Sequence, residues 1–547
     1  MVNHRGTVVR LGLAALVALF AAACESESDG GDPGGPGSGG AGTGAGGATT
    51  GTGGAGAGAG GAGGAGGAGG GGGMLPSDVT VHLVPQAGVT GVQRVNFAVP
   101  LVPGQLQSAD DVRVLQGGAE LATARRGLAR YADGSFRSVQ LQVDVTIAGE
   151  ADLEVQFGAP AGAGDLDLAP VESTLEPASG EQGPRVWVLL PAAWLSTSGV
   201  AGPQRPEADV EGTPLAAWSS LCDYAAYDTE AFLADGAATT RAVWLYDRGT
   251  LMARGYARRG DLTTLASEYR EASLYRNLIT GTGTSARNGL PEGAGSDVKY
   301  TYAQNLAIHY LLTGDDRFRD SAEDMALGMS ELWPDPGYAG GADMWTERNA
   351  GFALLAYTWA LIVTDDKVAE LRALADEAAN ATIDVQETYP IGYDDPDARC
   401  FAHHGDAHDP DEGNPYFGCS PWMSAILADA LDAYASVSDA AAAEKARVSI
   451  VKLGRILARE GRDAADVPYY WMGVDDPNDA PDEFTEHIGE SAYVIAMAWH
   501  HSGGTDDTLK QAADVLVAKF GSDASAPHVR SFNWQCRSAV GAAFYLQ

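Results

Sequence analysis

"MWTERNAGFALLAYTWALIVTDD", Met344 to Asp366, decides the fold. Glu347, Arg348 and Asn349 stand at the head of a run so apolar that neither face of a helix through it would be solvated. Phe352, Leu355, Ala356, Trp359 and Val363 recur at helical spacing, and Thr364-Asp365-Asp366 stops the run. A helix that is apolar all round needs protein on every side. The design recurs in "YTYAQNLAIHYLLTGDDRF", Tyr300 to Phe318, where Ala303, Leu306, Ala307, Tyr310 and Leu311 share a face ahead of Thr313-Gly314-Asp315. A third copy opens at Ser420-Pro421, a capping serine with proline at the first helical position, and continues through Met423, Ile426, Leu427, Ala430 and Leu431. "WLYDRGTLMARGYARRGD" (Trp244 to Asp261), "TEHIGESAYVIAMAWHHSGG" (Thr485 to Gly504) and the truncated "NWQCRSAVGAAFYL" (Asn533 to Leu546) are further copies.

A more polar helix follows the turn of each complete copy, as in "KVAELRALADEAANATI", Lys367 to Ile383. Apolar helix, turn and amphipathic helix, repeated at irregular intervals, predict an array of α-hairpins with the apolar members as an inner ring. The expected architecture over residues 186–547 is an α/α toroid.

Upstream the period is two. "SVQLQVDVTI", Ser138 to Ile147, puts Val139, Leu141, Val143, Val145 and Ile147 on one face, just after the turn signal Asp133-Gly134. Short strands at Val79 to Val84, Val95 to Val99, Val112 to Leu115 and Leu153 to Phe157 complete a β barrel or sandwich expected over residues 75–185. The fold class is therefore multidomain, β followed by all-α. The wording of "VNFAVPLVPGQL" (Val95 to Leu106) and "VRVLQGGAELATARRGLARYADGSFRSVQLQVDV" (Val112 to Val145) resembles the amino-terminal barrel of exo-acting rhamnogalacturonan lyase-like proteins. The resemblance implies a barrel-like scaffold for residues 79–147. Ser138 stands where that pattern carries a Trp, so no functional residue is carried over.

The first 24 residues pair His4, Arg5 and Arg10 with an apolar stretch and Ala21-Ala22-Ala23-Cys24, too short to span a bilayer. This resembles a bacterial lipoprotein signal, which implies lipid attachment at Cys24 and an exported protein anchored to a periplasmic or cell-surface membrane. Residues 25–74 are almost all Gly, Ala, Ser and Thr, a flexible tether with too little apolar surface to fold. Over the 547 residues, 35 Lys plus Arg face 72 Asp plus Glu, a net charge of -37, which argues against nucleic acid as a partner. Five cysteines suit an oxidising compartment; with Cys24 acylated, Cys400 with Cys419 is the favoured pair and Cys222 with Cys536 the other.

In a ring of hairpins the inner helices run parallel and their amino termini meet at one rim. There the chain places Asp247 and Arg248; Lys299, Tyr300 and Tyr302; Trp345, Glu347, Arg348 and Asn349; Trp422; Glu486, His487 and Glu490; and Asn533, Trp534 and Arg537. Helix amino termini favour anions, and aromatic rings beside amide and guanidinium groups suit a sugar. The competing account is that the glutamates complement their own helix dipoles and the tryptophans are core. The loop "CFAHHGDAHDPDEGNPYFGC", Cys400 to Cys419, adds His403 and is read as a polar loop pinned by a disulfide. Zinc through two of His403, His404 and His408 with Asp406, or calcium through Asp409, Asp411 and neighbouring carbonyls, are its metal alternatives, and the chemistry requires neither.

Barrel plus toroid is similar to polysaccharide lyases, which implies β-elimination on a uronate-containing polymer. Arg348 and Asn349 would grip the C6 carboxylate, and Tyr302 or His487 would act as base and acid with His403 in reserve. Trp345, Trp422, Lys299, His403, Trp534 and Arg537 would line the substrate. A glycoside hydrolase using Glu347 and Glu486, with Asp247 or Glu490 as substitutes, is the second expectation. A non-catalytic surface lipoprotein binding acidic or neutral polysaccharide as a monomer is the third.

Overall fold

The computed structural model describes residues 75–336, 345–388, 395–408, 415–473, 480–481, 487–523 and 528–547. The signal with Cys24, the tether, Glu486, Asp409 and Asp411 lie outside the described residues. Eight strands come first: β1 (Asp78–Pro85), β2 (Gly91–Pro100), β3 (Val112–Gln116), β4 (Ala119–Glu120), β5 (Thr123–Arg130), β6 (Phe136–Ile147), β7 (Ala151–Phe157) and β8 (Val186–Leu189). They form two antiparallel sheets, β4-β3-β7-β1-β8 and β2-β6-β5, with the apolar faces of both in one core. β8 pairs with β1, so the sheet extends to Leu189.

The alternation in β6 holds, with Val139, Leu141, Val143, Val145 and Ile147 all buried. Its other face departs from a half-solvated strand. Asp144 and Thr146 are exposed, whereas Ser138, Gln140 and Gln142 are buried because that end of the sheet sits on the helices.

Eleven helices of ten or more residues form the rest of the described fold: α1 (Arg248–Arg259), α2 (Leu262–Asn277), α3 (Gln304–Thr313), α4 (Asp316–Leu332), α5 (Glu347–Val363), α6 (Val368–Thr388), α7 (Ser424–Val437), α8 (Ala440–Glu460), α9 (Ile488–His501), α10 (Asp507–Asp523) and α11 (Val529–Ser538). Consecutive helices pack as hairpins, α1 on α2 through α9 on α10. The odd-numbered helices pack in the cyclic order α1, α3, α5, α7, α9, α11 and back to α1, which closes the toroid. All seventeen residues of α5 are buried, and so are all ten of α3, as helices enclosed on every side require. At Gly351 the approach of α5 to α7 is so close that a Cβ would lie 2.8 Å from the backbone of Ile426 and Leu427.

Two disulfides are present. Cys222–Cys536 (Cα–Cα 5.7 Å) joins the segment before α1 to α11 at the seam of the ring, among Leu251, Met252 and Phe532. Cys400–Cys419 (Cα–Cα 6.2 Å) closes the loop ahead of α7. No helix among the described residues is long and apolar enough to cross a membrane.

Ser420 does not cap α7. The helix starts at Ser424, and the Ser420 hydroxyl donates instead to the Tyr470 carbonyl. A small sheet of order β12-β11-β10-β9, built from His403–His404 (β9), Phe417–Cys419 (β10), Tyr469–Gly473 (β11) and Ala480–Pro481 (β12), competes for that serine.

The two domains join through hydrogen bonds. The last carbonyls of a helix have no partner within it. On α3, Asn96 Nδ2 donates to the Thr313 carbonyl (2.8 Å), Ser138 Oγ to Leu311 (2.7 Å), and Arg126 to Gly314. Gly314 is required twice over: its φ is +71°, and an added Cβ would lie 2.3 Å from the Gln140 side chain. Asn96→Ala is expected to orphan the Thr313 carbonyl and the Gln140 amide, which donates to Asn96 Oδ1, while Gln142 loses one of two acceptors and keeps the Ala169 carbonyl. A loss of about 3 kcal/mol should appear as a lower denaturation midpoint.

Candidate functional site

The small sheet explains how a charged cluster sits at the mouth of a buried helix. β9 pairs with β10 so that His403 lies opposite Gly418, and β10 pairs with β11. This arrangement holds His403 Nδ1 2.7 Å from Glu347 Oε2, with both side chains fully buried. Glu347 Oε1 accepts the Ser420 backbone N–H at 2.9 Å. Glu347 opens α5, where the helix dipole also favours an anion. Nδ1 is turned to the carboxylate, and Nε2 is the ring nitrogen on the other side of the imidazole. The edge of Trp471 meets the imidazole, centroids 5.1 Å apart.

A second cluster lies beside the first. His487 stacks on Trp422 at 4.5 Å with 12° between the planes, and its ring is 5.0 Å from Trp534. Tyr470 packs against both Trp422 and His487. The Arg348 guanidinium lies over the Trp422 ring at 5.5 Å. Glu490 Oε1 stands 3.5 Å from His487 Nδ1. Tyr246 touches Trp422, Trp534 and Phe352, and Tyr246 and Asp247 are successive non-glycine residues with φ of 79° and 55°. Such backbone costs of order 1–3 kcal/mol per residue, and here the packing of the Tyr246 ring sustains it. Consecutive residues of β11 serve the two clusters, Tyr470 the stack and Trp471 the imidazole, because side chains on a strand alternate faces.

The structure therefore brings together Arg348, Trp422, His487 and Trp534, with Glu347 and His403 joined to them through Ser420 and β11. Asn349 stands at the same helix start, its N–H capped by Thr346 Oγ1. Tyr302 is at this end of the ring but two rings removed, reaching Trp422 only through Phe352 and Tyr246. Its hydroxyl donates to the Trp244 carbonyl, and burial holds its pKa well above 10.0. Trp345 is fully buried and donates to the Pro336 carbonyl. Lys299 lies 3.6 Å from Asp297 on the turn ahead of α3. His403 and His404 serve different partners, since His404 packs on Phe417 and lies 3.7 Å from Asp406. No cluster of three or more His, Cys, Asp or Glu side chains positioned for a metal ion occurs among the described residues.

Arg537 belongs to the interior of the ring. It donates to Gln304 Oε1 at 2.7 Å and lies 3.1 Å from Asp429, to whose two carboxylate oxygens Arg254 Nη2 donates at 2.8 and 2.9 Å. Tyr493 donates to the same carboxylate. Burial alone would push the Asp429 pKa up, but Arg254 and Arg537 outweigh it and hold the carboxyl below its ordinary 3.8. Asp247, bonded to Asn305 and Thr250, goes the other way: burial raises its pKa, and Arg537 offsets only part of that.

Arg254, Asp429, Tyr246 and Trp471 are not among the residues the sequence singles out. A charge in the middle of an apolar run, as at Arg254 and Asp429, marks an inward-facing partner in need of a counter-charge, and "YYWMG" (Tyr469 to Gly473) is an aromatic strand signal. Compared with protein families and with curated proteins, the chain finds no matching family and no matching protein.

Folding lowers the Asp429 pKa, so this carboxylate adds stability above its unfolded value and loses that contribution as pH falls through the lower folded value. Asp429→Asn leaves two buried guanidinium groups without their anion and is expected to cost about 3–5 kcal/mol. The variant should also lose less stability than the parent between about pH 7 and about pH 3, read from urea midpoints.

Proposed function

We propose that the protein is an exported carbohydrate-active enzyme, a polysaccharide lyase that cleaves a uronate-containing polymer by β-elimination. The observation that carries this reading is the buried Glu347–His403 pair beside a cation-bearing aromatic stack at the rim where the inner helices begin. Converging helix amino termini favour an anionic ligand even on a chain of net charge -37. Trp422 and Trp534 supply faces for the C–H side of a sugar ring.

In the proposed reaction Arg348 and Asn349 neutralise the C6 carboxylate, which acidifies the C5 proton. His403, oriented by Glu347, takes that proton at Nε2. The C5–H electrons become the C4–C5 double bond while the C4–O bond breaks, and His487 protonates the departing oxygen. The role of base moves from Tyr302 to His403, because the Tyr302 hydroxyl is held by a carbonyl and its ionisation is strongly opposed. Engagement of Glu347 with an imidazole favours this reading over a hydrolase in which Glu347 is one of two working carboxylates. The amino-terminal segment extends the proposal to a lipoprotein acylated at Cys24, acting as a monomer at a membrane surface.

Incubation of the mature protein with pectic, alginate-like and glycosaminoglycan polymers is expected to release reducing ends together with the ultraviolet absorbance of an unsaturated uronide. Reducing ends without the absorbance indicate a hydrolase, and retention on a polymer with neither indicates a binder. His403→Ala and Arg348→Ala are each expected to lower kcat/KM by about 100- to 10,000-fold. Full turnover by Arg348→Ala rules out this site.

A further inference from the structure

Both groups that hold the Glu347 carboxylate come from the two ends of one loop. His403 Nδ1 lies 2.7 Å from Oε2, and the Ser420 backbone N–H donates to Oε1 at 2.9 Å. His403 is three residues after Cys400, and Ser420 directly follows Cys419. The disulfide between these cysteines therefore ties the two arms that grip Glu347, with about 10 Å of chain from the bridge to His403 and about 4 Å to Ser420.

We infer that Cys400 and Cys419 are positioning residues of the rim site: their bridge holds His403 against Glu347, so the pair is complete only in the oxidised chain. The consequence for turnover rests on the lyase reading above; the assembly of the pair does not.

The bridge joins two fixed points. Upstream, the chain is fastened to the outer helices, the Arg399 N–H donating to the Lys452 carbonyl at 3.1 Å and the Arg399 carbonyl accepting from Gln386 Nε2 at 3.0 Å. Downstream, β10 is paired with β11, and the Trp471 ring covers Gly418 so closely that an added Cβ would lie 2.3 Å from it. The Cys400–Cys419 Cα–Cα separation of 6.2 Å locks these points together, and His403 and Ser420 leave them to meet on one carboxylate. Without the bridge, the arms are kept together by β9, which is two residues long and pairs with β10 through His403 with Gly418 and His404 with Phe417, and by the Gly405 N–H on the Tyr416 carbonyl. So short a ladder is marginal on its own. Glu347 is buried, and among the described residues the imidazole and the Ser420 N–H are its two polar contacts. A buried carboxylate that loses one of them is better served by a loop that opens to water. Closing the bridge removes two protons and two electrons from the Cys400 and Cys419 thiols and passes them to a disulfide oxidant, which leaves as a dithiol. A chain with these thiols still reduced carries the residues of the pair without the pair.

The test compares the mature protein with Cys400→Ser/Cys419→Ser, in which Cys222–Cys536 is kept, by histidine modification with diethyl pyrocarbonate mapped by mass spectrometry. His403 is buried in the parent, and His309, in a buried pair of its own with Glu268 at 2.9 Å, is the internal control. Modification of His403 should rise about tenfold or more in the variant while His309 stays protected, whereas a general loss of stability would expose both. Turnover is the second arm: kcat should fall about tenfold or more with KM for the polymer held within about twofold, and His403→Ala added to the variant should cost less than it does in the parent. Cys400→Ala, which leaves the buried Cys419 in place, gives the same readouts if the double variant fails to fold. The inference is overturned if His403 stays protected without the bridge, if His403 and His309 become reactive together, or if kcat holds in the variant of an active parent. A parent without lyase activity retires the lyase reading alone, and the histidine arm then decides this one.

Discussion

The structure depends on how the exposed carbonyls at the end of one short inner helix are satisfied. Helix α3 stops at Thr313, and its terminal carbonyls meet Asn96, Ser138 and Arg126 from the sandwich rather than water. Unmet, each buried carbonyl would cost about 1–3 kcal/mol. Meeting them fixes the three-stranded sheet against α3 and α5 at one end of the toroid. The same geometry forces glycine at position 314 and makes the back of β6 polar yet buried.

Ring closure imposes the second constraint. Inner helices surrounded by protein have no solvated face, so a polar side chain on them must sit at an end or find a partner inside. Arg254, Arg537 and Asp429 take the second course, and Tyr493 fills a remaining acceptor site on the carboxylate. Such a network gains little over a well-packed apolar one of equal volume, but loss of any one member leaves a buried charge exposed to its full desolvation cost. Glu347, Arg348 and His487 take the first course and gather at the amino ends, which answers why charged residues head so apolar a run.

Much of the fold was legible because period is a property of neighbouring residues. A run such as Phe352 to Val363, apolar on every face, leaves an inner helix as the consistent assignment, and the change from period two to period 3.6 separates the two domains. Of three possible pairings the structure has the favoured one, Cys400–Cys419 closing a short loop and Cys222–Cys536 as the pair that remains. The finer placement was not legible, because it depends on non-local partners. Nothing near Ser420 in sequence says that a sheet strand and Glu347 will claim it before the helix can. Nor does the alternation in β6 reveal that Ser138 and Gln140 face the end of α3. Tyr302 sits at helical spacing like its neighbours, yet the carbonyl that holds its hydroxyl belongs to Trp244, on another turn of the ring.

The two ends of a parallel ring are electrically unlike, and this is what separates their chemistry. Each inner helix carries roughly half a positive charge at its start and half a negative charge at its finish. Six starts gather around one rim, with Arg348, Arg530 and the Glu347–His403 pair nearby. At the finish of α3, the negative potential is met by donors from Asn96, Ser138 and Arg126. Helix direction alone thus gives the two poles of the ring opposite electrostatic signs, and the side chains that meet them differ accordingly.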